Sequence, residues 1–387
     1  MAPNNALGKP TAAKLRAAAE GERPSRRRSK SPAAIDIRSQ TADGFGAGMI
    51  DKSEVASRGT GTAIRTPLDE FEAKEKSEVR AFWTAVMFLT RLPCPGWCDH
   101  HPGYLMRGMA YFPLVGGAIV GVWAASIYDA AATLWPPLVA AAISSGGTLW
   151  LTGCFHEDGL CDTLDGFGGG WTKAQILLIM KDSRSGSYAT MAGSMWVLAK
   201  CAILGHLGSL AAGGRSVWAV GASVGAGPAI LVAQCVARAS AAPLVYTFDY
   251  VVDDADPKGD YYNWFAETRR LLGLPRVFVA LATAAACAYG LLPAEAAERA
   301  LLAGGVGTVI SGLYGKSVLG GVMGDFLGAT ICMLELAVYL AIAADVEHAD
   351  ASALTRLAVV LSLPQFYGVW RRFFDANWRA SQEPQEC

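Results

Sequence analysis

Residues 137–170 read PLVAAAISSGGTLWLTGCFHEDGLCDTLDGFGGG, and the fold turns on how the two halves of this stretch differ. From Pro137 to Phe155 there is no charged side chain, and the run is long enough to cross a bilayer as a helix. From His156 onward the character reverses, with Glu157, Asp158, Asp162 and Asp165 in quick succession, then Gly168, Gly169 and Gly170. Asp158, Asp162 and Asp165 stand at i, i+4 and i+7. In a helix they share one face, with Glu157 about a quarter-turn away. Carboxylates so placed repel one another unless a cation lies between them. Oxygen ligands in this number suit Mg²⁺ or Mn²⁺, which complete their shells with water and substrate phosphate. The glycines let backbone approach a ligand closely, and Lys181-Asp182-Ser183-Arg184 follows with donors for phosphate oxygens. An acidic, glycine-rich connector is often only a solvated loop. Helical spacing of the acids, and apolar runs on both sides, favour a site.

Moving outward, further apolar runs read as spanning helices. They cover Met109–Trp135, Tyr188–Ala212, Val217–Ala237, Arg276–Pro293, Ala300–Tyr314, Phe326–Ala344 and Ala353–Trp370, besides Pro137–Phe155. The run from Ala300 is short and the last is interrupted by Pro364, so the expectation is an all-α polytopic membrane protein with six to eight spans. Ala81–Leu92 is apolar but too short to span, which suits an interfacial or re-entrant segment.

Composition agrees. Only 17% of the 387 residues are charged, against about 25% in soluble domains, and mean hydropathy is +0.28. A net charge of -1 and the lack of a basic stripe with interleaved aromatics exclude a nucleic-acid binder. The nine cysteines have no paired spacing and read as free thiols. Cys94, Cys98, His100 and His101 have zinc-ligand residue types, but Pro93, Pro95 and Gly96 read as a turn. Residues 1–80 form a separate extension rich in Ala, Ser, Gly and Arg, with a basic knot at Arg26-Arg27-Arg28-Ser29-Lys30. It fits a disordered basic tail or an organelle transit peptide, and a plastid or mitochondrial inner membrane is then a candidate location. Residues 81–345 make the membrane-embedded domain, and 346–387 a C-terminal extension with a candidate last span.

The alternation of spans brings three polar loops to one side of the membrane. These are His156–Ser187, Arg238–Pro275 and Gly315–Asp325. Basic termini put that side toward the cytosol, or its stromal or matrix equivalent. The second loop supplies Arg238 and the acids Asp253, Asp254, Asp256 and Asp260, which read as a solvated run. The third supplies Lys316 and Asp325, the latter opening an apolar helix as a site residue or a cap. Glu335 lies in mid-span and requires a partner or an aqueous cavity; Lys200 and Asp129 also lie within or near apolar runs.

His156-Glu157-Asp158-Gly159-Leu160, Asp162, Asp165-Gly166, Gly168-Gly169-Gly170 and Ile179-Met180-Lys181-Asp182-Ser183-Arg184 closely resemble the signature of cobalamin 5′-phosphate synthase. The family is also called adenosylcobinamide-GDP ribazoletransferase. Phe88-Leu89-Thr90-Arg91-Leu92-Pro93, Phe112-Pro113-Leu114-Val115-Gly116, Ala237-Arg238-Ala239 and Gly324-Asp325-Phe326-Leu327-Gly328-Ala329 match in the expected order. The likeness covers about residues 81–345. Cys161, Leu164, Ser185, Ala189 and Phe326 depart from the usual pattern, and none removes a charged candidate. The resemblance implies transfer of α-ribazole, or its 5′-phosphate, onto adenosylcobinamide-GDP with release of GMP. That chemistry fits the site read from the residues, where Mg²⁺, or Mn²⁺, is expected on Glu157, Asp158, Asp162 and Asp165. Catalytic roles then fall to His156, Asp162, Asp165, Lys181 and Arg184. Substrate contacts fall to Gly168, Gly169, Gly170, Asp182, Ser183, Arg238, Lys316 and Asp325. The oligomeric state is not legible in the sequence.

Two other readings compete. A membrane phosphotransferase of the CDP-alcohol type shares Asp162-x-x-Asp165-Gly166, but the Ala-Arg that follows in that pattern is replaced by Gly169-Gly170. A cation transporter would carry such acids inside its spans near the midplane rather than in loops.

Overall fold

Serine, threonine, proline and glycine punctuation decides where most of the helices start and stop. A computed structural model describes residues 77–98, 101–210, 224–251 and 269–344. Helix α1, Glu78–Leu89, begins at Ser77, whose side chain accepts the Arg80 N–H. At about 18 Å it is too short to span. Its first residue anchors it: Glu78 receives Arg107, Arg276 at 2.5 Å and the Tyr111 hydroxyl at 3.1 Å. Helix α2 runs from Pro102 to Ala132 and widens to a π-helix over Val115–Gly121. Helix α3, Pro137–Thr152, opens on a proline, which suits a first turn whose N–H has no partner.

Gly153 and Cys154 then take the left-handed conformation, with φ of 68° and 57°. Helix α4, Phe155–Gly169, leaves at 92° to α3. Glycine adopts this conformation freely and cysteine does so at a cost, so the corner is held by its surroundings. Helix α5, Lys173–Met180, is set by a capping box between Thr172 and Gln175. There follow α6, Ser187–Leu210, α7, Ala226–Thr247, α8, Gly273–Leu291, α9, Ala294–Leu319, and α10, Gly324–Ala343. Gly320, with φ of 85°, ends α9.

Five of these helices, α2, α6, α7, α8 and α10, are long and apolar enough to cross a membrane, and the bent pair α3–α4 makes a sixth if it counts as one span. The protein is an all-α polytopic membrane protein. Two expectations change in detail. The fourth run is described from residue 224 and continues past Ala237 to Thr247. The sixth, short as an apolar run, is a helix of 26 residues, about 39 Å long, because Glu295, Glu298, Arg299 and Lys316 extend it at both ends. The eighth run, the acids from Asp253 to Asp260, residues 1–76 and the tail from 345 lie outside the described residues.

Helix α7 is the centre of the bundle: every residue from Ala226 to Ala239 is buried. Small residues make this packing possible. At Gly116, in the π-helical stretch of α2, a Cβ would stand 2.8 Å from the Arg238 stem and 3.0 Å from the Gln234 carbonyl carbon. Gly159 does the same for α4 against α10, where a Cβ would lie 2.7 Å from the Asp325 carbonyl oxygen. Gly159→Ala therefore has to push two backbones apart. We expect it to lower stability by about 1–3 kcal/mol, read as a fall in the thermal midpoint of the purified protein. An unchanged midpoint would show that α4 is not held against α10 there.

Candidate active site

The three polar segments meet at one end of the bundle. Val251 donates its N–H to the Val322 carbonyl and Val322 to that of Asp249, both at 2.8 Å. Lys173, at the head of α5, reaches the Gly320 turn, where a Cβ would stand 3.5 Å from its Nζ. Chain after α4, after α7 and between α9 and α10 thus converges, as the alternation of spans predicts.

Helix α4 carries the acids, and the structure divides them. Asp158 is exposed and Asp162 half-buried, one turn apart on the same helix face. Asp158 lies within electrostatic reach of Asp325 at the head of α10. These three form an acidic face beside the α4–α10 contact. Asp165 has another engagement: Oδ2 accepts the Gly186 N–H at 2.5 Å and Oδ1 the Ala189 N–H at 2.9 Å. Those are first-turn donors of α6, whose flanking residue Gly186 has no side chain to cap them, so Asp165 caps α6 from a different helix. Asp165→Ala is expected to cost about 1–2 kcal/mol and to loosen the 181–186 segment. Asp165→Asn, which keeps one acceptor, should cost less. Thermal midpoints and protease cleavage within 181–186 check this; equal stability of the alanine variant would remove the capping role.

Glu157 and His156 face the other way, into a polar cluster buried between α4, α6, α7 and α10. Lys200 Nζ lies 2.7 Å from Glu335 Oε1, an ion pair by distance without the alignment of a hydrogen bond, and both side chains are almost wholly buried. The same oxygen accepts from Gln234 Nε2 at 2.6 Å and the Tyr339 hydroxyl at 3.0 Å. Arg238, 2% exposed, donates to the Gln234 side chain and to His156 Nδ1 at 3.4 Å. Lys200 also sits over the Trp196 ring, 5.0 Å from its centroid. Glu157 Oε2 is buried without a hydrogen-bond partner. Lys200 and Arg238 against Glu157 and Glu335 give two charges of each sign, the balance a dry interior requires.

The phosphate-binding candidates also divide. Arg184 is exposed and grips Asp182 with Nε at 3.0 Å and Nη2 at 2.6 Å, while its N–H donates to Asp182 Oδ1 at 3.0 Å. These hydrogen bonds hold the Asp182 carboxyl down at about 2. The shift is downward, so this loop closure is fully present above the ordinary carboxylate range and is lost only as pH falls toward 2. Lys181 and Ser183 lie in the same exposed segment, and Lys316 is exposed near the end of α9. Gly168 and Gly170 make room for this chain's own atoms. A Cβ at Gly168 would meet the Tyr188 ring at 2.5 Å, and one at Gly170 would meet Ile176 at 2.6 Å. Gly169 is exposed, with Ile179 at 3.2 Å from the same construction.

Among the described residues, no three His, Cys, Asp or Glu side chains converge closely enough to hold a metal by themselves. Two exposed or half-buried carboxylates one helical turn apart still fit an ion such as Mg²⁺, which takes one or two carboxylates and completes its shell from phosphate and water. Nothing in the sequence pairs Lys200 with Glu335 or singles out Gln234 and Tyr339. An ionisable residue in mid-span was the available signal for the first two; nothing marked the others.

The family model described as cobalamin-5-phosphate synthase matches residues 81–343. An adenosylcobinamide-GDP ribazoletransferase of Shewanella oneidensis is 35% identical over 262 residues, 68% of this chain and 93% of that protein. Those of Leptothrix cholodnii and a Polaromonas species are 36% and 35% identical, over 68% of this chain in each case and 94% and 96% of theirs. No solved structure matches the chain significantly. The family match takes in every helix that builds the acidic face and the buried cluster behind it, and the chain belongs to the cobalamin-5-phosphate synthase family.

Proposed function

We propose that the chain transfers α-ribazole, or its 5′-phosphate, onto adenosylcobinamide-GDP and releases GMP, completing the nucleotide loop of a cobalamin. The observation that carries this reading is the acidic face of Asp158, Asp162 and Asp325, set where three polar segments meet in a chain of this family. A ribose hydroxyl oxygen forms a bond to the phosphorus attached to the cobinamide arm. The bond from that phosphorus to the bridging oxygen breaks, GMP departs with the electron pair, and the hydroxyl proton passes to a base. Such a reaction asks the protein mainly to position its reactants and balance charge.

Mg²⁺ held by Asp158 and Asp162 would neutralise phosphate charge at this face. The base is better assigned to an aspartate of the face than to His156. A guanidinium only donates, so the Arg238 contact uses Nδ1 of His156 as an acceptor, and the ring is 3% exposed. His156 and Arg238 hold α4 in place rather than touch substrate. Lys181, Arg184 and Lys316 remain on the exposed side as phosphate donors, with Arg184 exchanging Asp182 for phosphate on binding. The face is assigned to the cytosolic side or its organellar equivalent on the basic termini, and an organelle membrane on residues 1–80.

The test is direct. Membranes containing the full chain are given adenosylcobinamide-GDP and α-ribazole with Mg²⁺, and GMP and corrinoid products are followed. GMP release that depends on ribazole is the expected result. Absence of both products from correctly inserted protein would overturn the assignment.

A further inference from the structure

The reaction puts a diphosphate beside a face of carboxylates, and this demands cations that are not already spent. Most arginines in the described residues are engaged. Arg107 and Arg276 hold Glu78, Arg184 holds Asp182, Arg269 holds Asp249, and Arg238 is buried on Gln234 and His156. Arg80 donates to the Trp97 carbonyl, Arg299 to that of Ala341, and Arg270 has partners of its own. Arg91 differs. It is exposed, and among the described residues no carboxylate pairs with it.

Its position is fixed by backbone. Just beyond α1, the Arg91 N–H donates to the Leu151 carbonyl at 2.8 Å, which ties the residue to the last turn of α3. The guanidinium lies across the left-handed corner that turns α3 into α4: a Cβ at Gly153 would stand 3.0 Å from Arg91 Cζ. Glycine suits the left-handed φ there, and its missing side chain leaves room for the guanidinium. The Cys154 thiol is within electrostatic reach of Arg91, Glu157 and Asp158 together, which puts the cation at the start of the acidic helix. We propose that Arg91, laid over Gly153 at the α3–α4 corner, is a substrate-binding residue that takes the guanosine diphosphate portion of the activated corrinoid by two-pronged hydrogen bonds to its phosphate oxygens. The charge is positive where the substrate is most negative, and the guanidinium sits at the start of the helix that carries the acids.

This rests on the ribazole-transfer reading, and the experiment separates the two. Full-length protein in detergent is titrated with GDP and Mg²⁺, with the melting midpoint recorded without nucleotide. Wild-type protein should bind GDP. Arg91→Met, which keeps the apolar stem, should bind about tenfold more weakly or worse, at an unchanged midpoint. Arg91→Lys should fall between, because it keeps charge but loses the fork. In the transfer assay, GMP should inhibit Arg91→Met correspondingly less. Failure of the wild type to bind GDP, wild-type affinity in the methionine variant, or a loss of affinity matched by a lowered midpoint in both variants would each overturn the proposal, the last by making Arg91 a brace for the corner. Should Arg91→Met not fold, Arg91→Lys decides by the same comparison. Absence of ribazole transfer by the wild type counts against the functional reading, and GDP binding still judges Arg91.

Discussion

Asp162→Asn should lower ribazole transfer by about 10²–10³-fold with no loss of fold. Asp162 stands one turn beyond Asp158 on the face of α4 that turns away from the buried cluster, whereas Asp165 is occupied by the α6 cap. Asparagine has nearly the same shape, so packing survives while one negative charge at the face is removed. Loss of a charge placed for the transition state appears in turnover rather than in folding. The Mg²⁺ concentration needed for half-maximal activity should rise together with the loss of rate. Rates are compared at saturating substrate across a Mg²⁺ titration, with thermal midpoints measured in parallel. Near-normal turnover of this variant, or full wild-type turnover in excess chelator, would remove the metal-binding role. The contrast with Asp165→Ala sharpens the test, because that change should show first in stability.

The second large effect lies inside the bundle. Breaking the Lys200–Glu335 pair by Glu335→Ala should destabilise the protein by about 3–5 kcal/mol, the scale for a buried charge left without its partner. The change strands more than Lys200. Gln234 Nε2 and the Tyr339 hydroxyl lose the acceptor they share, and the Arg238–His156 contact that holds the head of α4 depends on Gln234. Removing both charges with Lys200→Met and Glu335→Leu should cost less than the single change, since no ion remains unpaired. The yield of folded protein and the thermal midpoint for the two singles and the double complete the cycle. A double variant no better than the worse single would show that the pair is not the principal connection.

The membrane character, the helical spacing of the acids and the convergence of three polar loops were legible in the sequence because each rests on local order. Uncharged runs of spanning length, carboxylates at i and i+4, and the parity of successive spans need no knowledge of which helices touch. The His156–Arg184 block was likewise specific enough to indicate the family, and the family match agrees.

What separated Asp162 from Asp165, and His156 from a free base, was contact between elements distant in sequence. Asp165 and Ala189 are 24 positions apart, and Gln234 and Glu335 are 101. Helical periodicity places Asp158, Asp162 and Asp165 on one face, but it cannot reveal that a first turn of α6 takes the third of them. Arg238 reads as a cation at a helix end. Only the close approach of α2 at Gly116 and of α4 at His156 turns it inward. The 92° corner at Gly153 and Cys154 was equally out of reach, because a left-handed cysteine is a cost that local preference argues against and only the surrounding packing sustains. Sequence thus determined which chemistry the chain carries and in which solvent it folds. Tertiary structure decided which charges are buried and which stay on the open face, because a charge inside a low-dielectric bundle must find its partner there, wherever in the chain that partner lies.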